Sequence, residues 1–254
     1  MTQLVLAHQD ADVRWLRLNR PERRNALNPA LVTALRSAVR EAVADADTRI
    51  VVIAGAGRSF CAGADLGHLR VLAEQEHDPL PFLASISECF TEIEQAPKPV
   101  VAAVHGHVVA GGLELALVCD LVVAQRGTLI GDGHLRSGLL PAAGSSVRLP
   151  RKVGEPLARW LILSGRLLPA EAFVASGFVH AVAAPDDVDS VLADILEGLR
   201  SSAATAQRHG KRLLNEQARL IHETGLAREQ RAFVQNWHDS NVAMALTRFA
   251  ERSA

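Results

Sequence analysis

Three short apolar runs rich in branched residues stand out: Ile50-Val51-Val52-Ile53-Ala54, Val100-Val101-Ala102-Ala103-Val104 and Leu121-Val122-Val123-Ala124. They alternate with segments of helical periodicity, and strands that are apolar on both faces belong to sheets covered on both sides. The expected fold is therefore α/β with a largely parallel sheet. A change of character follows near residue 185: from Pro185 onward there is no strand-like run, and Ala, Leu, Arg and Glu dominate. Residues 1–185 are expected to form the α/β core and residues 186–254 a helical subdomain packed against it.

Each element follows from local pattern. Residues 3–8 and 12–18 read as two strands joined by a turn at Asp10-Ala11-Asp12, and Val13-Arg14-Trp15-Leu16-Arg17-Leu18 alternates as a half-buried strand does. A polar loop over 19–25 follows. Asn28-Pro29 then supplies a cap and a first-turn proline for a helix. Leu31, Val32, Leu35, Ala38, Val39, Ala42 and Val43 form one face of that helix, which ends near Asp45–Asp47. Strand 50–54, the loop 55–65, a helix over 80–95 and strand 100–104 come next. Gly106 to Gly112 interrupts the pattern before a short buried helix over 113–118 and strand 121–124. Pro99 to Val118 is long enough to cross a bilayer. It contains His105, His107, Glu114 and three glycines, costly in lipid, so a strand, a loop and a helix are expected there instead.

Composition excludes several functions. Among 254 residues, 27 are basic and 28 acidic, a net charge of −1, which argues against a strongly basic nucleic-acid binder and an acidic disordered tail. Tyr is absent and aromatic residues reach only 4%, so the core is aliphatic and no tyrosine serves as acid or base. Cys61, Cys89 and Cys119 fit no zinc or redox spacing, and the N-terminus has no signal-peptide pattern; a reducing, cytoplasmic setting is expected. His105 and His107 share a strand face but lack a third ligand, so no metal is expected.

Two small-residue loops follow buried strands: Gly55 to Leu66, and His105 to Glu114. Both lie where open α/β sheets bind ligands, at the C-terminal ends of strands. The second runs into a helix, leaving N–H groups near Gly111 and Gly112 unpaired and suited to a developing negative charge. Neither loop carries a phosphate-loop or dinucleotide fingerprint. Glu114 is a carboxylate in an otherwise apolar helix start, Leu113-Glu114-Leu115-Ala116-Leu117-Val118. Such a group is either an exposed first-turn Glu or a buried one whose pKa desolvation raises toward acid–base use.

The motifs together resemble the crotonase superfamily, the enoyl-CoA hydratase/isomerase family. Leu18-Asn19-Arg20-Pro21 with Asn25-Ala26-Leu27, Phe60-Cys61-Ala62-Gly63-Ala64-Asp65-Leu66, Ala110-Gly111-Gly112-Leu113-Glu114-Leu115-Ala116 with Cys119-Asp120, and Gly138-Leu139-Leu140-Pro141 with Gly144 all resemble its signatures, as do Gly165-Arg166 and Gly177-Phe178-Val179. The resemblance implies a spiral of ββα units with a C-terminal helical trimerisation region, an acyl-CoA thioester substrate and no separate cofactor, coenzyme A being part of the substrate. It implies a homotrimer or dimer of trimers, with neither nucleic acid nor membrane as partner. It places the Ala64 and Gly111 N–H groups on the thioester oxygen, and CoA along Arg23, Arg24, Ala62, Asp65 and Leu66. It also implies that Phe249 and Arg252 reach a neighbouring subunit's CoA, although Asn241-Val242-Ala243-Met244 departs from the family pattern before them.

The family's hydratases use two glutamates around one water. Glu114 matches the first; counting back from Gly138 puts His134 at the second. Three readings stay open: His134 is a substitute acid–base group, Asp132 reaches the site instead, or Glu114 acts alone with His134 structural. Reversible hydration of a 2-enoyl-CoA is the expected reaction. Enoyl-CoA isomerisation, hydrolysis of another acyl-CoA or a β-diketone, and non-catalytic CoA-ester binding are the alternatives.

Overall fold

The computed structural model describes residues 3–239 and 242–252. Strands β1 (Val5–Asp10) and β2 (Val13–Leu18) form an antiparallel hairpin closed at Ala11, which takes φ 50°. From β2 onward the sheet is parallel: β2 pairs with β3 (Ile50–Gly55), β3 with β4 (Val100–Val104), β4 with β6 (Leu121–Gln125) and β6 with β9 (Ala181–Ala183). The three apolar runs are thus adjacent central strands, as their two-sided apolar character requires.

Helices cover both faces. On one face lie α1 (Pro29–Ala44), capped by the Asn28 side chain accepting from Leu31 N at 2.9 Å, and α3 (Leu80–Gln95). Leu31, Leu35, Phe90 and Ile93 are buried there with Leu16, Leu18, Val51 and Ile53. On the other, Leu192 and Leu196 of α7 (Val188–Arg200) pack on Val13, Ile50, Val52, Val101 and Val123. The first helix after residue 185 therefore seals the sheet's second face.

The sequence pattern did not announce α2 (Leu66–Glu74) or a second, small sheet of β5 (His107–Val109), β7 (Leu129–Gly131) and β8 (Leu168–Pro169). Two- and three-residue strands are too short to show a period, and their pairing is supplied by distant neighbours: Cys61 bridges Val108 and His107 pairs with Leu129. Helix α4 (Gly111–Leu117) follows β5, and α5 (Ser145–Val153) and α6 (Glu155–Ser164) follow the second sheet's middle strand. Beyond α7, α8 (Ala204–Asp239) crosses the body of the protein. Lys211 anchors it to Asp120 Oδ2 at 2.7 Å, and Phe233 and Trp237 are buried near its far end. Helix α9 (Val242–Arg252) packs on α2.

Gly198 is an exposed residue in the last turn of α7, and a Cβ there would meet nothing within 4 Å. Gly198→Ala is expected to stabilise the protein by about 0.5–1 kcal/mol, because alanine has the higher helix propensity. Calorimetry should read a melting rise of roughly 2 °C for a chain of this size.

Candidate active site

The segment 60–65 leaves β3 and threads between residues 24–27 and β5. Leu27 N donates to Gly63 O at 2.8 Å and Asp65 N to Leu27 O at 2.8 Å, while Val109 N donates to Cys61 O at 3.1 Å. In this parallel bridge the Ala64 N–H points away from Leu27, and among the described residues it has no acceptor. The Gly111 N–H, the first of α4, likewise has none. Ala110 holds it in place with φ 52° and ψ −119°, a strained conformation for a residue with a side chain.

The two amides sit together because the chain approaches itself closely. A Cβ on Gly111 would lie 3.4 Å from Ala64 N, and one on Gly112 would lie 2.1 Å from the Cys61 carbonyl oxygen. Only glycine permits that contact.

Glu114, on the first turn of α4, is 2% exposed. Its Oε1 accepts from Ala143 N and Ser145 N, both at 3.0 Å, at the start of α5. Its Oε2 lies 3.8 Å from His134 Nε2. His134 stands in a short 3-10 turn, His134–Ser137, between Gly133 (φ 68°) and Gly138 (φ 74°). Asp132 Oδ1 accepts from His134 Nδ1 at 3.0 Å. Asp132 is fully buried, and its Oδ2 has no hydrogen bond among the described residues, so His134 is its main counter-charge.

Burial pushes the Glu114 carboxyl up to about 7; the His134 charge opposes this, and Glu229 and Asp132 add to it. Burial alone would lower His134, but the charge and hydrogen bond of Asp132, then Glu114, carry it up to about 9. Burial would raise Asp132, yet its bond and ion pair with His134 hold it below its usual range. The ring is therefore an imidazolium at neutral pH, beside a carboxyl that titrates there. These groups and the two free amides open on one pocket with apolar walls that include Leu69, Leu83, Ile86, Leu139 and Phe233. A roomier groove of about 500 Å³ between α3 and α8 holds charges that pair with one another, Arg36 with Glu88 and Glu92, and Arg148 with Glu94.

The structure brings Ala64, Gly111, Glu114 and His134 together. Arg23 and Arg24 lie on the exposed turn after β2, with no side-chain bond among the described residues, and Ala62 N donates to Arg24 O at 3.0 Å. The Asp65 carboxylate accepts from Gly67 N and His68 N to cap α2 and pairs with Arg20 Nη2 at 3.0 Å. Leu66 starts α2 half-buried against the core. His105 Nε2 meets Gly57 O at 2.9 Å, and His107 Nδ1 lies 3.4 Å from the Ser59 hydroxyl. Phe249 is half-buried on α9; Asn241 and the Arg252 side chain lie outside the described residues. Sequence reasoning missed the α5 N–H groups, Phe233 and Glu229. One signal was present: Gly144-Ser145-Ser146 opens a helix with no side-chain cap of its own.

Comparison with known proteins gives the chain a family. The chain matches the family model for enoyl-CoA hydratase/isomerase over residues 8–254. It is 34% identical over 235 residues to the 2,3-dehydroadipyl-CoA hydratase of Escherichia coli, covering 92% of this chain and 89% of that protein. A crystal structure of enoyl-CoA hydratase from Mycobacterium smegmatis superposes with TM-score 0.80 at 33% identity, covering 94% of this chain and all of that one (100%). The crystal structure of an enoyl-CoA hydratase from Bacillus halodurans shares the fold with TM-score 0.89 at 23% identity, covering 96% of this chain and 99% of that one. With the family model matched along nearly its whole length, the chain belongs to the enoyl-CoA hydratase/isomerase family and has the crotonase fold.

Proposed function

We propose that this protein is an enoyl-CoA hydratase-type enzyme that reversibly adds water to a 2-enoyl-CoA. The observation that carries the reading is the buried pair of Glu114 and His134, 3.8 Å apart, facing the pocket that holds two unpaired backbone amides. The thioester oxygen is held by the Ala64 and Gly111 N–H groups, which stabilise the enolate as it forms; each such donor contributes roughly 3–4 kcal/mol. A water held between Glu114 Oε2 and His134 Nε2 gives a proton to Glu114 as its oxygen bonds to C3. The electron pair of the C2–C3 double bond moves into the thioester enolate. The imidazolium of His134 then supplies a proton to C2, and Glu114 returns its proton to the ring, restoring the starting state. Asp132 keeps the ring charged and oriented. Arg23 and Arg24 bind the CoA phosphates; their exposure on the turn beside Ala62 supports this reading.

The assigned states dictate a pH profile. The reaction needs Glu114 ionised, so kcat/KM rises as pH climbs through about 7. It needs His134 protonated, so the rate falls above about 9. The two midpoints belong to the coupled pair. Loss of the 2-enoyl absorbance of crotonyl-CoA, followed from pH 5 to 10, checks this, and His134→Ala should lose the alkaline limb and roughly 10²-fold in rate. Equal activity at pH 5.5 and pH 8 overturns the assignment.

We further propose a homotrimer or dimer of trimers. Trp160 and Leu163 on α6, and Leu213 and Leu214 on α8, are apolar side chains at least half exposed on one chain, which suits burial between copies. Light scattering should give three or six times 27.2 kDa; a monomer overturns it.

A further inference from the structure

Helix α5 opens without a side-chain cap of its own, and two buried carboxylates from elsewhere in the chain take its N-terminal amides. Glu114 accepts from the N–H of Ala143 and Ser145. Glu229, on α8, accepts from Gly144 N at 2.6 Å and Ser146 N at 2.7 Å, and from the Ser146 hydroxyl. The four successive amides of residues 143–146 are thus divided in alternation between the two groups. Glu229 is 6% exposed and 83 residues from its nearest partner in sequence, Ser146.

We propose that Glu229 is a positioning residue for Glu114: it clamps the loop that holds the Glu114 carboxylate, and its negative charge nearby strengthens Glu114 as the base that takes the proton from water. This rests on the hydratase reading of the site. Donors face both oxygens of Glu229, whereas backbone donors face only the Oε1 of Glu114. Of two nearby carboxylates, the one with more donors holds its charge better, so a proton entering the pair goes to the other. Glu114 Oε2 faces His134 and the pocket, where it takes up the proton of the reacting water. Among the described residues, the charged groups around Glu114 are His134 and Asp132 from the preceding turn, Glu229 from α8, and Arg148 of α5. Arg148 donates from Nη1 to Ala143 O at 3.0 Å and is paired with Glu94 of α3. Burial and the Glu229 charge both act to raise the Glu114 carboxyl, in keeping with this arrangement.

Glu229→Gln removes the charge and keeps the shape. It should move the acid limb of the kcat/KM profile for crotonyl-CoA down by about one pH unit. Glu229→Asp keeps the charge but is too short to hold both amides. It should leave the acid limb in place and lower kcat by roughly tenfold, since misplacing a catalytic group by about 1 Å is costly. A purely structural Glu229 would lower melting temperature and rate in both variants without moving the limb, and that result overturns the proposal. Carbon-13 NMR titration of the side-chain carboxyl of Glu114, identified by its loss in Glu114→Gln, supplies a readout that does not need turnover. If the wild-type protein hydrates no enoyl-CoA yet the Glu114 midpoint drops in Glu229→Gln, the hydratase reading fails and the coupling stands. An unchanged midpoint in an active enzyme sinks the coupling alone.

Discussion

Replacing Glu114 with Gln is expected to lower kcat/KM for crotonyl-CoA by about 10³-fold, within the range that a general acid–base group contributes. The substitution is nearly isosteric. The amide oxygen can still accept from Ala143 N and Ser145 N, so the start of α5 keeps its cap. The amide cannot exchange a proton with water, and that single loss removes the chemistry. Stability should not fall with it. The wild-type carboxyl is held near 7 by burial, so at pH 8 it carries a charge that the folded state disfavours. A neutral amide is free of that cost, and Glu114→Gln should melt no lower than wild type at pH 8. Sign and window agree: a carboxyl raised in the folded state adds stability below its unfolded value, and this is lost as pH climbs through about 7. Stopped-flow assays beside calorimetry at pH 5 and pH 8 read both quantities. Activity within tenfold of wild type would sink the role given to Glu114.

Gly112→Ala is expected to damage the oxyanion site by geometry alone. The new Cβ would lie 2.1 Å from the Cys61 carbonyl oxygen and 2.8 Å from its carbon, and these are backbone atoms that no rotamer change can move. Segment 60–64 and α4 must separate, taking the Ala64 N–H out of line with that of Gly111. Losing one oxyanion donor costs about 10²-fold in kcat. Overpacking at a rigid contact costs roughly 1–3 kcal/mol, which in a chain of this size lowers melting by about 2–10 °C. A variant that melts within 1 °C of wild type and keeps more than a third of its kcat would show that the close approach does not hold the amides. Gly198→Ala, where a Cβ meets nothing, is the matched control.

Local pattern made the fold class readable because its signals are short-range. Three branched apolar runs with helices between them are required by a parallel sheet covered on both faces, and those runs became β3, β4 and β6. The N–H groups near Gly111 and Gly112, and Glu114, could be picked out because a glycine loop running into a helix and a carboxylate in an apolar helix start are both locally unusual; Ala64 came only from the family resemblance. Helix α2 and the strands β5 and β7 escaped notice, since their order comes from pairing across the chain: Cys61 with Val108 and His107 with Leu129. Asp65 lay in a recognised motif, yet its carboxylate is used on Arg20 and the first turn of α2.

By itself, the sequence determined that a sheet apolar on both faces would form, that two small-residue loops would follow its strands, and that Glu114 would lie on a short apolar helix beside one of them. Periodicity and composition are local and report burial directly. The tertiary structure decided what the buried groups do to one another. Asp132 makes His134 a cation, His134 and the α5 amides hold Glu114, and Glu229 arrives from a helix that follows the last strand. Charges in a low-dielectric interior act through space, over distances that chain order does not encode. The proton state on which the proposed chemistry depends is therefore a property of the folded chain alone.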